Sequence, residues 1–113
     1  MTDNNVPLET DCQAVKDALC RDKTFLLLDC REQDEWDLVH IEGAKLLPMS
    51  QLASRIQELE PYRGLRVVVH CHHGGRSLRV ADWLRKVGFD GAQSMAGGID
   101  AWSQEIDRSL PRY

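Results

Sequence analysis

Two kinds of apolar run alternate along this chain. Phe25-Leu26-Leu27-Leu28 and Leu65 to His70 are unbroken or nearly so and too short for helices, so each predicts a strand buried on both faces. Between them, apolar positions recur at helical spacing. Val15, Ala18 and Leu19 predict a helix opened by Thr10, with Gln13 completing a capping box. Leu52, Ile56 and Leu59 predict a second helix, with Ser50 as its N-cap and Pro61 and Gly64 bracketing the loop beyond. Leu78, Ala81 and Leu84, flanked by Val80 and Val87, predict a third from Ser77 to Val87, closed by Gly88. Ile99, Trp102 and Ile106 predict a last helix behind Gly97-Gly98. Shorter elements are a helical turn from Glu32 to Trp36, a brief strand after Gly43 that Pro48 stops, and a short strand from Ala92 to Met95. Strands alternating with helices imply parallel pairing and an α/β layered fold. The folded unit is expected over residues 10–107, with a mobile polar arm at 1–9 and a frayed tail at 108–113.

Composition narrows the classes. A chain of 113 residues, 42% apolar and 28% charged, suffices for one globular core without disulfides or a structural metal. Its net charge of −4 argues against general nucleic-acid binding. The polar opening Met1-Thr2-Asp3-Asn4-Asn5 has no apolar leader, and no run is long enough to span a bilayer, so no membrane association and a cytoplasmic location are expected. Cys12, Cys20, Cys30 and Cys71 form no Cys-x-x-Cys pair, and in a reducing compartment they should be free thiols. For Cys12, Cys20 and Cys30 the simplest role is a small buried hydrophobe.

Cys71 is different because of what surrounds it. The Val-Val-Val-His strand delivers it into Cys71-His72-His73-Gly74-Gly75-Arg76, and a helix begins just beyond. In open parallel sheets ligands bind at the carboxyl ends of strands, which is where this thiol falls. Exposed loop amides, a helix N-terminus and the Arg76 charge together favour a thiolate and attract an anion. Gly74 and Gly75 permit backbone angles that turn several amides inward. A metal site on His70, Cys71, His72 and His73 is disfavoured, since adjacent loop residues rarely converge on one ion and no second ligand pair stands at the right spacing. The imidazoles of His72 and His73 are expected to face solvent, leaving their amides as the useful groups. A Cys-His pair of the protease type has only His40 as a remote candidate, and a structural histidine at a turn fits that position better.

This loop resembles the active-site loop of the rhodanese (sulfurtransferase) domain. Asp29-Cys30-Arg31 through Glu35-Trp36, followed by His40-Ile41-Glu42-Gly43-Ala44 and Pro48, is similar to the family's N-terminal signature. Gly97-Gly98-Ile99-Asp100-Ala101-Trp102 resembles its C-terminal Gly-Gly-x-x-x-Trp signature. The matches run from about residue 24 to 102. One departure is Val39, where the family usually has glycine. The resemblance implies a three-layer α/β/α fold around a mainly parallel sheet of about five strands. It also implies that Cys71 takes a sulfane sulfur from a donor such as thiosulfate and passes it from a persulfide to a thiophilic acceptor, a thiol or a protein. His72, His73, Gly74, Gly75 and Arg76 would bind the substrate, the amides of 72–76 cradling the persulfide and Arg76 holding the donor's oxyanion. Neither a metal nor an organic cofactor is required. Cysteine phosphatases and arsenate reductases of similar architecture resemble Cys-x5-Arg, one residue longer than the Cys-x4-Arg loop here. A sulfur-carrier or protein-binding module with little small-molecule turnover is the principal alternative. Asp29 and Arg31 are expected to pair internally, with Glu35 as a further partner, and Trp36, Trp83 and Trp102 to pack in the core. Cys30 is either a buried hydrophobe or a second thiol that engages Cys71.

Overall fold

The computed structural model describes residues 6–21 and 24–113. In chain order the elements are β1 (Glu9–Thr10), α1 (Cys12–Arg21), β2 (Leu26–Asp29), α2 (Gln33–Leu38) and β3 (Lys45–Leu46). Two 3₁₀ segments, Met49–Gln51 and Ala53–Tyr62, lead to β4 (Val67–His70), α3 (Gly75–Lys86), β5 (Ala92–Met95) and α4 (Gly98–Glu105). The five strands form one parallel sheet in the order β1-β5-β4-β2-β3.

The alternation of side chains along the central strands sets the layers. Leu26 and Leu28 of β2 and Val67 and Val69 of β4 face Leu52, Leu59, Val80, Leu84 and Phe89, which covers one side with the 3₁₀ segments and α3. Leu27 and Val68 face the other way, onto Val15 of α1, Ile41, and Ile99 and Trp102 of α4. The three layers α/β/α follow directly from buried strands that need cover on both faces. Register aligns Leu28 with Val69 and Asp29 with His70, so β2 and β4 end side by side and release Cys30 and Cys71 at the same rim.

Several local expectations are corrected. Residues 1–5 of the expected arm lie outside the described residues, but Leu8 to Thr10 is fixed to the sheet edge. The Leu8 carbonyl accepts from the Ser94 amide at 2.8 Å and that of Thr10 from the Ala96 amide at 2.8 Å. With Thr10 drawn into β1, Asp11 caps α1 instead, its carboxylate accepting from the Ala14 amide at 2.8 Å. The helix expected after Ser50 is wound as 3₁₀. Pro61, which has no amide to donate, sits inside it, and Arg55 breaks it at φ −118° and ψ 18°. Ser50 does not cap it, because its hydroxyl donates to the Glu32 carboxylate at 2.7 Å. The tail at 108–113 is docked, with the Arg112 Nε 2.9 Å from Asp100 Oδ1 and Leu110 packed beside the α1–α4 core cluster. Of the tryptophans, Trp102 is buried and Trp83 packs partly buried on the core, whereas Trp36 stacks on His40 at the surface.

Candidate active site

Cys71 follows directly on β4 and is only 1% exposed. The chain then turns through His72, His73 and Gly74, and α3 starts at Gly75. Gly74 stands at φ +115°, a region that side-chain-bearing residues resist, and this turns its amide back onto the thiol. The Gly74 amide donates to Cys71 Sγ at 3.1 Å and the Ser77 amide, in the first turn of α3, at 3.3 Å. The Ser77 hydroxyl lies 3.5 Å from the same sulfur and is held by Ser94 Oγ at 2.7 Å. Two backbone donors and a helix N-terminus therefore converge on one sulfur, where they stabilise negative charge.

The loop is also gripped from behind. The Ile99 amide donates to the Cys71 carbonyl at 2.9 Å and the Asp100 amide to the His72 carbonyl at 3.0 Å, so the first turn of α4 spends its free amides on the loop. This approach explains the Gly97-Gly98 pair. A Cβ on Gly98, at φ +59°, would stand 2.5 Å from both of those carbonyl oxygens. Gly75, by contrast, has ordinary backbone and open space around it, so only Gly74 uses the freedom expected of both loop glycines.

Charge is arranged in pairs. Arg31 and Asp29, both fully buried, meet at 2.7 Å, and Arg31 also donates to the Val39 carbonyl at 2.7 Å. Arg31 reaches Glu35 only through the backbone carbonyl, at 3.4 Å. The Glu35 carboxylate instead grips Arg76 with two parallel bonds, Nη1–Oε1 at 2.7 Å and Nη2–Oε2 at 2.9 Å. This pair lowers the Glu35 carboxyl to about 2 and raises the Arg76 guanidinium above its ordinary value. Val39 is extended at φ −165°, backbone that any residue adopts, so the departure from glycine there costs nothing.

The histidines divide by face. His70 is wholly buried beside Asp29, neither ring nitrogen has a hydrogen-bond partner among the described residues, and burial pushes it down to about 4. His73 is exposed, as expected. His72 is not, since Tyr113 stacks flat on its ring with centroids 3.9 Å apart and planes 6° apart. His40 stacks on Trp36 and sets Nδ1 3.1 Å from the Trp36 carbonyl, the structural role expected of it. Among the described residues, His72, His73 and Asp100 bring ligand-type atoms within 4.8 Å of one another. Arg112 and Gln104 already occupy the Asp100 carboxylate, so a dication would have to displace a guanidinium first. For Cys30, burial first, then the charges of Cys71 and Asp29, push the thiol upward, which leaves it protonated and a poor nucleophile at neutral pH.

Reasoning from sequence missed Ser77, Glu35 as the partner of Arg76, and Tyr113. The first adjoins Arg76 and the second is the N3 residue of the α2 capping box, whose other member is Glu32. Tyr113 has no signal beyond an aromatic in a polar tail.

Residues 11–105 match the family model described as Rhodanese-like domain. The chain is 35% identical over 91 residues to the Rhodanese-like/PpiC domain-containing protein 12, chloroplastic, of Arabidopsis thaliana, covering 77% of this chain and 30% of that protein. It is 32% identical over 99 residues to the probable adenylyltransferase/sulfurtransferase MoeZ of Mycobacterium tuberculosis, covering 88% of this chain and 25% of that protein. The chain thus spans about a quarter to a third of the length of these curated relatives. Among solved structures, a rhodanese-like domain protein from Staphylococcus aureus superposes with a TM-score of 0.79 at 25% identity, over 95% of this chain and 99% of that one.

Proposed function

The chain belongs to the rhodanese-like domain family, and from that premise we propose that it is a sulfurtransferase whose nucleophile is Cys71 and whose donor is thiosulfate or a related sulfane-sulfur compound. The single observation that carries this reading is the Cys71 sulfur with the Gly74 and Ser77 amides aimed at it from the mouth of α3. In the first step the thiolate attacks the sulfane sulfur of thiosulfate, the sulfur–sulfur bond of the donor breaks, and sulfite leaves with the bonding pair. The product is a Cys71 persulfide anion. A thiophilic acceptor then attacks the terminal sulfur, and the electron pair of the persulfide bond returns to Cys71 as thiolate. With cyanide the product is thiocyanate. No net oxidant is consumed. The two amides are placed to hold the persulfide's charge as they hold the thiol, and His72, His73, Gly74, Gly75 and Arg76 form the donor-facing loop. The short Cys-x4-Arg loop suits a sulfur atom better than a tetrahedral phosphate. A cytoplasmic location belongs to the same proposal. Among the described residues, no helix is long and apolar enough to cross a membrane.

A second reading is favoured by one specific contact. Arg76 is already neutralised by Glu35, which lowers its value for a free anionic donor. A sulfur carrier that accepts sulfur from a protein and returns it to another needs the persulfide but not that anion site. Thiosulfate:cyanide kinetics on the wild type and on Cys71→Ser separate the outcomes. The proposal expects thiocyanate from the wild type and a loss of at least about a thousand-fold in the serine variant, as for removal of a nucleophile. Equal turnover by both would overturn the assignment of Cys71. An inactive wild type that still takes up sulfur at Cys71 from a protein persulfide would establish the carrier.

A further inference from the structure

We infer that Tyr113 is a positioning residue for the catalytic loop, acting on Arg76 through Glu35 and on His72 through its ring. The inference rests on the sulfur-transfer reading above and assigns part of it to a segment outside every signature motif.

Two groups of contacts meet at this side chain. The Tyr113 hydroxyl accepts from Arg31 Nη1 at 2.7 Å and donates to Glu35 Oε2 at 2.8 Å. The same Oε2 takes Arg76 Nη2 at 2.9 Å. The phenol thus links the fully buried Arg31–Asp29 pair to the carboxylate that holds Arg76. A carboxylate fixed by four donors, two from Arg76, one from Tyr113 and one from the Glu32 amide at 3.2 Å, has little freedom to release its guanidinium or to rotate it. On the other side, the Tyr113 ring lies flat on His72, the residue next to Cys71. The neighbouring Arg112 is tied to Asp100, whose own amide holds the His72 carbonyl. One short segment therefore holds the loop at both ends, at His72 and at Arg76. His73, Asp100 and Glu35 are the other titratable groups that act on His72, whose imidazole is lowered chiefly by burial.

The test is a cycle of initial-rate kinetics with thiosulfate on the wild type, Tyr113→Phe, Glu35→Gln and the double variant. Phenylalanine keeps the ring and removes only the hydroxyl. Tyr113→Phe should raise the KM for thiosulfate about five-fold and leave kcat nearly unchanged, the size expected for one hydrogen bond. In the Glu35→Gln background the same substitution should add nothing, because its effect passes through that carboxylate. Independent, multiplicative losses, or no change in KM, would overturn the route through Glu35.

If the wild type turns over no thiosulfate, the functional reading fails, and the inference is decided by NMR titration of His72. Tyr113→Ala should then move the His72 titration up toward its ordinary value, while Tyr113→Phe leaves it in place. A His72 titration that Tyr113→Ala does not move would overturn the positioning role whatever the activity. Thermal melts of each variant confirm that the comparison is between folded proteins.

Discussion

At the scale of single residues, the chemistry is a matter of which groups are spent and which are free. Cys71 faces two amides and a hydroxyl, whereas Cys12 points at the Ala96 and Gly98 carbonyls and burial pushes it up to about 11. Cys30 is likewise raised by burial, whereas the Gly74 and Ser77 amides donate to the Cys71 sulfur. Arg76 is the contested residue, because the guanidinium expected to meet the donor is engaged by Glu35. Arg76→Ala should lower kcat/KM for thiosulfate about ten-fold more than for an uncharged persulfide donor, since only the oxyanion needs the charge. Steady-state kinetics with both donors checks this, and equal losses would leave Arg76 a purely structural partner of Glu35. The sequence singled out Cys71 and Arg76 through the strand, loop and helix pattern around them and the resemblance of that loop. It did not reveal Glu35 or Tyr113 as partners, because their contacts join positions 41 and 78 residues apart that no local pattern connects.

At the scale of elements, the decisive unit is β4, its loop and α3, clamped by the start of α4. The Gly97-Gly98 pair looks in sequence like a helix opening, and in space it is a clearance for backbone. Gly98→Ala should therefore destabilise the fold by about 3 kcal/mol or more, combining a left-handed backbone with a clash against two carbonyls. Chemical denaturation measures the loss, and a stability within about 0.5 kcal/mol of wild type would refute the clamp. Hydrophobic runs located the buried strands and α3 well, because burial on both faces leaves an unmistakable apolar block. They failed where a single residue outweighed the period. The non-helical backbone at Arg55 interrupts the amphipathic pattern after Ser50, and pairing with β5 drew Thr10 out of the predicted cap into a strand. A two-residue edge strand such as β1 has no periodicity to read, being defined only by the neighbour it pairs with.

At the scale of the whole molecule, a parallel sheet covered on both sides carries its polar groups to one rim. Asp29, Arg31, His70 and Cys71 all sit at the ends of β2 and β4, which the alternation of strands and helices predicted for the thiol. Burial of His70 gives this arrangement a pH signature. The unfolded chain takes up its proton near the ordinary value of 6.5, while the folded protein resists until about 4. Stability should thus fall as pH drops through that window, by up to roughly 3 kcal/mol. Glu35 adds to the loss between its ordinary 4.5 and about 2, because the unfolded carboxyl is protonated first. Urea melts between pH 7 and pH 4 test this, and His70→Gln should flatten the upper part of the slope. The central claim, that sulfur rides on Cys71, is tested most directly by mass spectrometry of the intact protein after exposure to thiosulfate. The account predicts a gain of one sulfur atom, mapped to the Cys71 peptide, released by cyanide and absent in Cys71→Ser. Sulfur on Cys20 instead, or an unchanged gain in the serine variant, would contradict it.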